Sequence, residues 1–123
     1  MINSFNTEIA KEVGVNAAVI FYNISFWIEK NACDNTNLYD NNYWACVSIK
    51  DLSEQFEYLT VGQIRTAVKK LIDSNLVIEG HYNYNKLDRR KWYAISEIAF
   101  DKYNIPILQK INTTLITYEN DII

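Results

Sequence analysis

Two helix-opening signatures stand close together in the middle of the chain, Ser48-Ile49-Lys50-Asp51 and Thr60-Val61-Gly62-Gln63. In each, a hydroxyl can accept the backbone N–H three residues on, while the acid or amide there reaches back to the first residue. The first helix should run to about Phe56 with Ile49, Leu52 and Phe56 inward. Glu57-Tyr58-Leu59 leaves room only for a tight connection. The second helix continues to Ile72, with Val61, Ile64, Val68, Leu71 and Ile72 as its apolar stripe. Asn75 sits where a left-handed stop is expected, a conformation asparagine tolerates. Leu76–Tyr82 then reads as a strand, Asn83–Asp88 as a turn and Arg89–Ile95 as a returning strand. Two short capped helices followed by a hairpin predict a winged helix-turn-helix.

The flanks add helices at both ends. Asn6 or Thr7 can cap a short helix through Val13, and Gly14 supplies its stop. Asn16 can cap a longer helix from Ala17 to about Lys30, with Ala17, Ile20, Phe21, Ile24, Trp27 and Ile28 on one stripe. Val19, Tyr22 and Phe26 form a second stripe, which predicts a homodimer interface. Residues 31–42 are rich in Asn and Asp and read as one long loop. Tyr43–Val47 reads as a strand, and Ser96 can cap a last helix that ends before Pro106. The expected class is therefore mainly α with a small β-hairpin or three-stranded sheet. One domain is expected over 1–106, with a weakly structured extension over 107–123.

At 123 residues and 49% hydrophobic, the chain suits one domain with a real core. Three Gly and one Pro argue against a Gly-rich phosphate loop. No secretory leader or spanning segment is visible, and Cys33 and Cys46 lack metal or redox spacing, which reads as a cytoplasmic protein with reduced thiols. His81 is the only histidine, and its neighbour Glu79 lies two positions away. Asp34 and Asp40 read as solvated turn carboxylates. Neither a nucleophile–base pair nor converging ligands emerge, so no enzyme, metal or cofactor is expected.

Charge is distributed unevenly. Residues 60–92 hold seven basic residues (Arg65, Lys69, Lys70, Lys86, Arg89, Arg90 and Lys91) against Asp73, Glu79 and Asp88, a local excess of +4. The remainder carries −7, and the whole chain −3. Local positive charge supplies sequence-independent affinity for DNA. On a wheel of about 100° per residue, Gly62, Thr66 and Lys69 point outward, Gln63 and Lys70 flank them, and Arg65 lies near the boundary. Gln63 and Thr66 can read base edges, and Lys69 and Lys70 suit phosphate. Tyr84, Lys86, Arg89 and Arg90 would let the hairpin touch the DNA backbone.

The order of several segments resembles a known family. Glu12–Ile20, Ser25–Ile28, the Thr60-x-x-Gln63-Ile64-Arg65 opening and the Leu87–Ile95 wing return are similar to winged-helix replisome organisers of phages and prophages of low-GC bacteria. The likeness spans roughly residues 10–96, and Asn75 stands where that family usually has Gly. It implies binding to double-stranded DNA at a replication origin and contact with a host or phage replication protein. A second expectation, on the same fold, is a protein-interaction module such as an inhibitor or adaptor encoded by a mobile element. The acidic remainder would then suit a basic partner.

Overall fold

The computed structural model describes residues 2–105, so the expected extension over 107–123 lies outside the described residues. The elements run α1 (Thr7–Val13), α2 (Val15–Asp34), β1 (Leu38–Tyr39), β2 (Asn42–Tyr43), β3 (Ala45–Val47), α3 (Ile49–Gln55), α4 (Val61–Asp73), β4 (Val77–Gly80), β5 (Lys91–Ile95) and α5 (Glu97–Tyr103). Among the described residues these make five helices, an antiparallel sheet ordered β3-β5-β4 and a separate β1-β2 hairpin. No described helix is long and apolar enough to cross a membrane.

The capping chemistry sets most helix starts. Asn6 Oδ1 accepts from the Glu8 and Ile9 amides to open α1. Ser48 and Asp51 form a reciprocal box at α3, and Thr60 and Gln63 form another at α4. Ser96 Oγ accepts from the Ala99 amide to open α5. Asn75 adopts φ 62° after α4, as expected of it. The start of α2 departs from the expected Asn16 cap. Gly14, at φ 90°, donates its amide to Ala10 O and so ends α1, and it also serves as the first flank of α2. A glycine has no side chain to cap with, so the first amides of α2 receive no side-chain acceptor.

Residues 31–42 are not a single loop. α2 continues to Asp34, and Asn31 Nδ2 donates to Trp44 O at 2.9 Å. Asp40 and Asn41 then take positive φ values of 50° and 63° between β1 and β2. That pairing suits the twist of a two-residue hairpin. The Asn/Asp composition that suggested a loop here supplies a turn.

The core lies between the helices and one face of the three-stranded sheet. Ile20, Ile24 and Ile28 of α2 meet Leu52 and Phe56, Ile64 and Leu71 of α4, and Val47, Val77, Tyr93 and Ile95 of the sheet. Burying each such side chain stabilises the fold by roughly 1.5–3 kcal/mol. Two expected stripe members behave differently. Val61 is exposed, because side chains lean toward a helix N-terminus and this one projects past the end of α4. Val19 is buried in the protein's own core, since α2 is flanked by α1, α4 and the sheet, so it cannot serve a dimer interface. Tyr22 and Phe26 remain exposed.

The opposite sheet face carries a second cluster of Trp44, Trp92 and Ala94 with Tyr82. Trp92 and Tyr93 are both buried because alternation sends them to opposite, covered faces. Tyr39, from the β1-β2 hairpin, stacks on Tyr82 at 4.6 Å. Gly80 permits this packing: a Cβ there would fall 2.7–2.8 Å from the Tyr82 and Trp44 rings.

Candidate nucleic-acid interface

α4 presents Gly62, Gln63, Arg65, Thr66, Lys69 and Lys70 to solvent, while Ile64, Ala67, Val68 and Leu71 anchor its other side. Four of the outward residues, Gly62, Gln63, Thr66 and Lys70, line a cleft of about 530 Å³. Its other wall is the junction of α1 and α2, including Gly14 and Asn16. Asn16 thus lines this cleft instead of capping a helix. A Cβ built on Gly14 would lie 4.0 Å from Lys70 Nζ, so the ammonium stands beside the uncapped start of α2. That helix end carries about half a positive charge. Among the described residues no carboxylate lines the cleft. Glu12 and Asp73 line a separate depression with Lys70. Glu12 accepts from the Tyr103 hydroxyl and from Lys102 Nζ at 3.1 Å, and the Tyr103 bond first, then Lys102, hold its carboxyl below the usual range. Asp73 pairs with Lys69 at 2.9 Å.

Not every outward group is equally free. Gln63 Oε1 accepts from the Thr60 amide at 2.9 Å, which leaves its Nε2 group as the available donor. A two-point contact with adenine would have to break that cap. Lys69 is tied to Asp73, although exposed pairs of this spacing exchange readily. Arg65 and Lys70 make no ion pair among the described residues.

The hairpin is built differently from the expected pair of long strands. The β4–β5 ladder ends at Gly80 opposite Trp92, and the chain re-enters the sheet at Lys91, opposite Val47 of β3. Side chains organise what lies between. Asn83 Nδ2 donates to Asp88 O and Arg90 O at 2.9 and 2.8 Å, and Asn83 Oδ1 accepts from Trp92 Nε1 at 2.6 Å. Asp88 accepts from the Arg90 guanidinium and from the Arg90 amide. The guanidinium holds the Asp88 carboxyl below the usual range, and the carboxylate raises the Arg90 pKa in return. Lys91 pairs with Glu79 at 3.1 Å. Tyr84, Lys86 and Arg89 stay exposed, and Lys86 and Arg89 make no ion pair among the described residues. None of the four candidate hairpin residues lines the α4 cleft.

The remaining sequence candidates are placed plainly. His81 is exposed just after β4. Asp40 accepts from the Tyr82 hydroxyl; burial first, and this bond second, push the Tyr82 pKa up to about 12. Asp40 therefore ties the two hairpins together and is not merely solvated. Both cysteines are free, and burial raises the Cys46 thiol pKa. Among the described residues no group of three or more His, Cys, Asp or Glu could hold a metal ion. Sequence reasoning missed the contribution of Gly14 and Asn16, because their role depends on α2 meeting α4 in space.

No protein-family model matches the sequence, and no curated protein or solved structure is significantly similar to it.

Proposed function

We propose that this chain is a winged helix-turn-helix protein that binds double-stranded DNA. In this reading α3 and α4 form the helix pair, α4 enters the major groove and the β4–β5 hairpin is the wing. The observation that carries it is the cleft, free of carboxylates among the described residues, where Lys70 stands beside the uncapped start of α2. Two positive groups side by side favour an anion between them, and a backbone phosphate meets that requirement. Gly62 lets DNA approach the α4 backbone. Thr66 and the Gln63 amide face the base edges as donors, so Gln63 pairs with an acceptor such as a purine N7. Arg65, Lys86 and Arg89 contribute charge along the backbone. The resemblance to phage replisome organisers extends the proposal to replication initiation or its regulation, with a replication protein as a further partner.

A salt-resolved titration of duplex DNA by fluorescence anisotropy tests this. Affinity should fall steeply as salt rises, with a log–log slope of about −0.9 per phosphate contact. Lys70→Ala should weaken binding to all sequences and reduce that slope by about one. Binding that is absent, or indifferent to both salt and Lys70, overturns the proposal. Recovery of one stoichiometric protein partner in place of DNA would favour the adaptor reading.

A further inference from the structure

Leu87 is 86% exposed, and Tyr84, just before it in the same loop, lies wholly in water. Among the described large hydrophobics only Ile2, near the chain start, is comparably exposed, so two apolar side chains are held out on one short loop. That loop is braced. Asn85 O accepts from the Asp88 amide at 3.0 Å, which closes a turn with Lys86 and Leu87 at its corners. Asn85 Oδ1 accepts from the Leu87 amide at 2.9 Å, and the Asn83 fork and the Asp88–Arg90 clip fasten the base. Leu87 thus projects from a fixed tip and has no place in either core cluster. Lys86 and Arg89 flank it along the chain, exposed and without an ion pair among the described residues. Asp88, the one carboxylate between residues 81 and 90, is taken by Arg90.

We propose, resting on the DNA-binding reading above, that Leu87 is a wedge that enters the minor groove, parts two base pairs and bends the duplex. The minor groove is about 6 Å wide, with a row of phosphates on each wall. A narrow tip with an apolar point between two cations matches that section. Lys86 and Arg89 meet phosphates, while Leu87 meets the groove floor and then the apolar faces of the parted bases. Unstacking a step costs free energy, and burial of the leucine offsets it. A braced turn gives up little freedom on docking, so more of that burial appears as affinity. The wedge senses deformability instead of hydrogen-bonding groups, so flexible pyrimidine–purine steps suit it and stiff A-tracts do not. An exposed leucine beside basic residues also has the chemistry of a contact with anionic lipid. A single leucine, however, buries far less than the acyl chain that by itself gives only marginal membrane binding, and this favours DNA.

The test uses the full chain and two end-labelled duplexes of equal length, one with a central TpA step and one with a central A-tract. Anisotropy reads affinity, and energy transfer between the labelled ends reads bending. On the TpA duplex the protein should bring the ends closer. Leu87→Ser should abolish that bend and weaken binding about tenfold, the burial of the leucine less the cost of unstacking. Its binding to the A-tract duplex should hardly change. Position 87 carries no charge, so the salt slope should stay as it was, and Leu87→Met should keep the bend. Tm should not move in either variant, because the side chain is exposed. Salt-dependent binding without a bend, or a bend that Leu87→Ser retains, overturns the wedge and leaves the DNA-binding reading standing. No binding to either duplex overturns both. A lower Tm for Leu87→Ser overturns the wedge by giving the side chain a packing role. Binding to phosphatidylserine vesicles that needs Leu87, with a DNA bend that does not, overturns it and assigns the tip to a lipid surface.

Discussion

α4 and the loop between β4 and β5 carry the same kinds of cation but use them differently. α4 is held by its backbone ladder, its capping box and its buried stripe, so its outward cations take almost no part in keeping it folded. The loop lacks a ladder from residue 81 to 90 and is held by Asn83, Asp88 and Arg90. A basic residue on a regular element is available to a partner. The same residue in an irregular segment is often part of the scaffold. By this criterion Arg65 and Lys70 are available and Arg90 is first a clip, while Lys86 and Arg89, also in the loop, are available only because no ion pair holds them among the described residues.

The sharpest way to break this contrast is charge reversal on the helix. Arg65→Glu with Lys70→Glu should reduce duplex affinity about a hundredfold, or roughly 2.7 kcal/mol. The same pair should leave Tm unchanged or slightly raised, because a carboxylate at position 70 would face the positive start of α2. A large fall in Tm would show that those cations are structural after all. Next in size, Gly80→Ala should destabilise the protein by about 2 kcal/mol in denaturant unfolding, because the added methyl collides with Trp44 and Tyr82. Asn83→Ala should cost about 1–2 kcal/mol by leaving the Trp92 indole N–H unpaired, a loss no α4 surface substitution should match. Thr60→Ala should cost about 1 kcal/mol through the lost cap. The smallest effect concerns acid. The folded Asp88 carboxyl titrates below its usual 3.8. Its contribution is therefore complete above that value and disappears as pH falls through the lower folded pKa. Asp88→Asn should flatten the acid end of a Tm-against-pH curve, and an unchanged curve would remove the clip from the account.

Much of the helical framework was legible because its signals are local. Ser48–Asp51, Thr60–Gln63 and Ser96 announce their helices within a few residues, and Asn75 announces a stop. The outward face of α4 followed from periodicity alone. What failed depends on distant partners. The burial of Val19 requires α1 and α4 to close over α2, and no spacing within α2 reveals it. Gly14 ends one helix and begins the next, so Asn16 looked like a cap while the chain had already turned. The hairpin strands came out short because Asn83 and Asp88 satisfy backbone and indole groups that a ladder would otherwise leave for water or longer strands. The Lys69–Asp73 pair was readable from its four-residue spacing, whereas the meeting of Lys70 with the α2 start was not.

Among the described residues, six positions outside glycine take positive φ: Asn35, Asn37, Asp40, Asn41, Asn75 and Asn104. Only one glycine, Gly14, does so. Reversals of direction here are thus entrusted mainly to residues that hydrogen-bond locally and still restrict the denatured chain. Glycine at those sites would relieve the left-handed conformation but widen the denatured ensemble, a loss of roughly 0.4–1 kcal/mol at each. The two effects oppose one another, so exchange to glycine there should be nearly silent. A β-branched residue gains neither advantage and should unfold the turn it occupies.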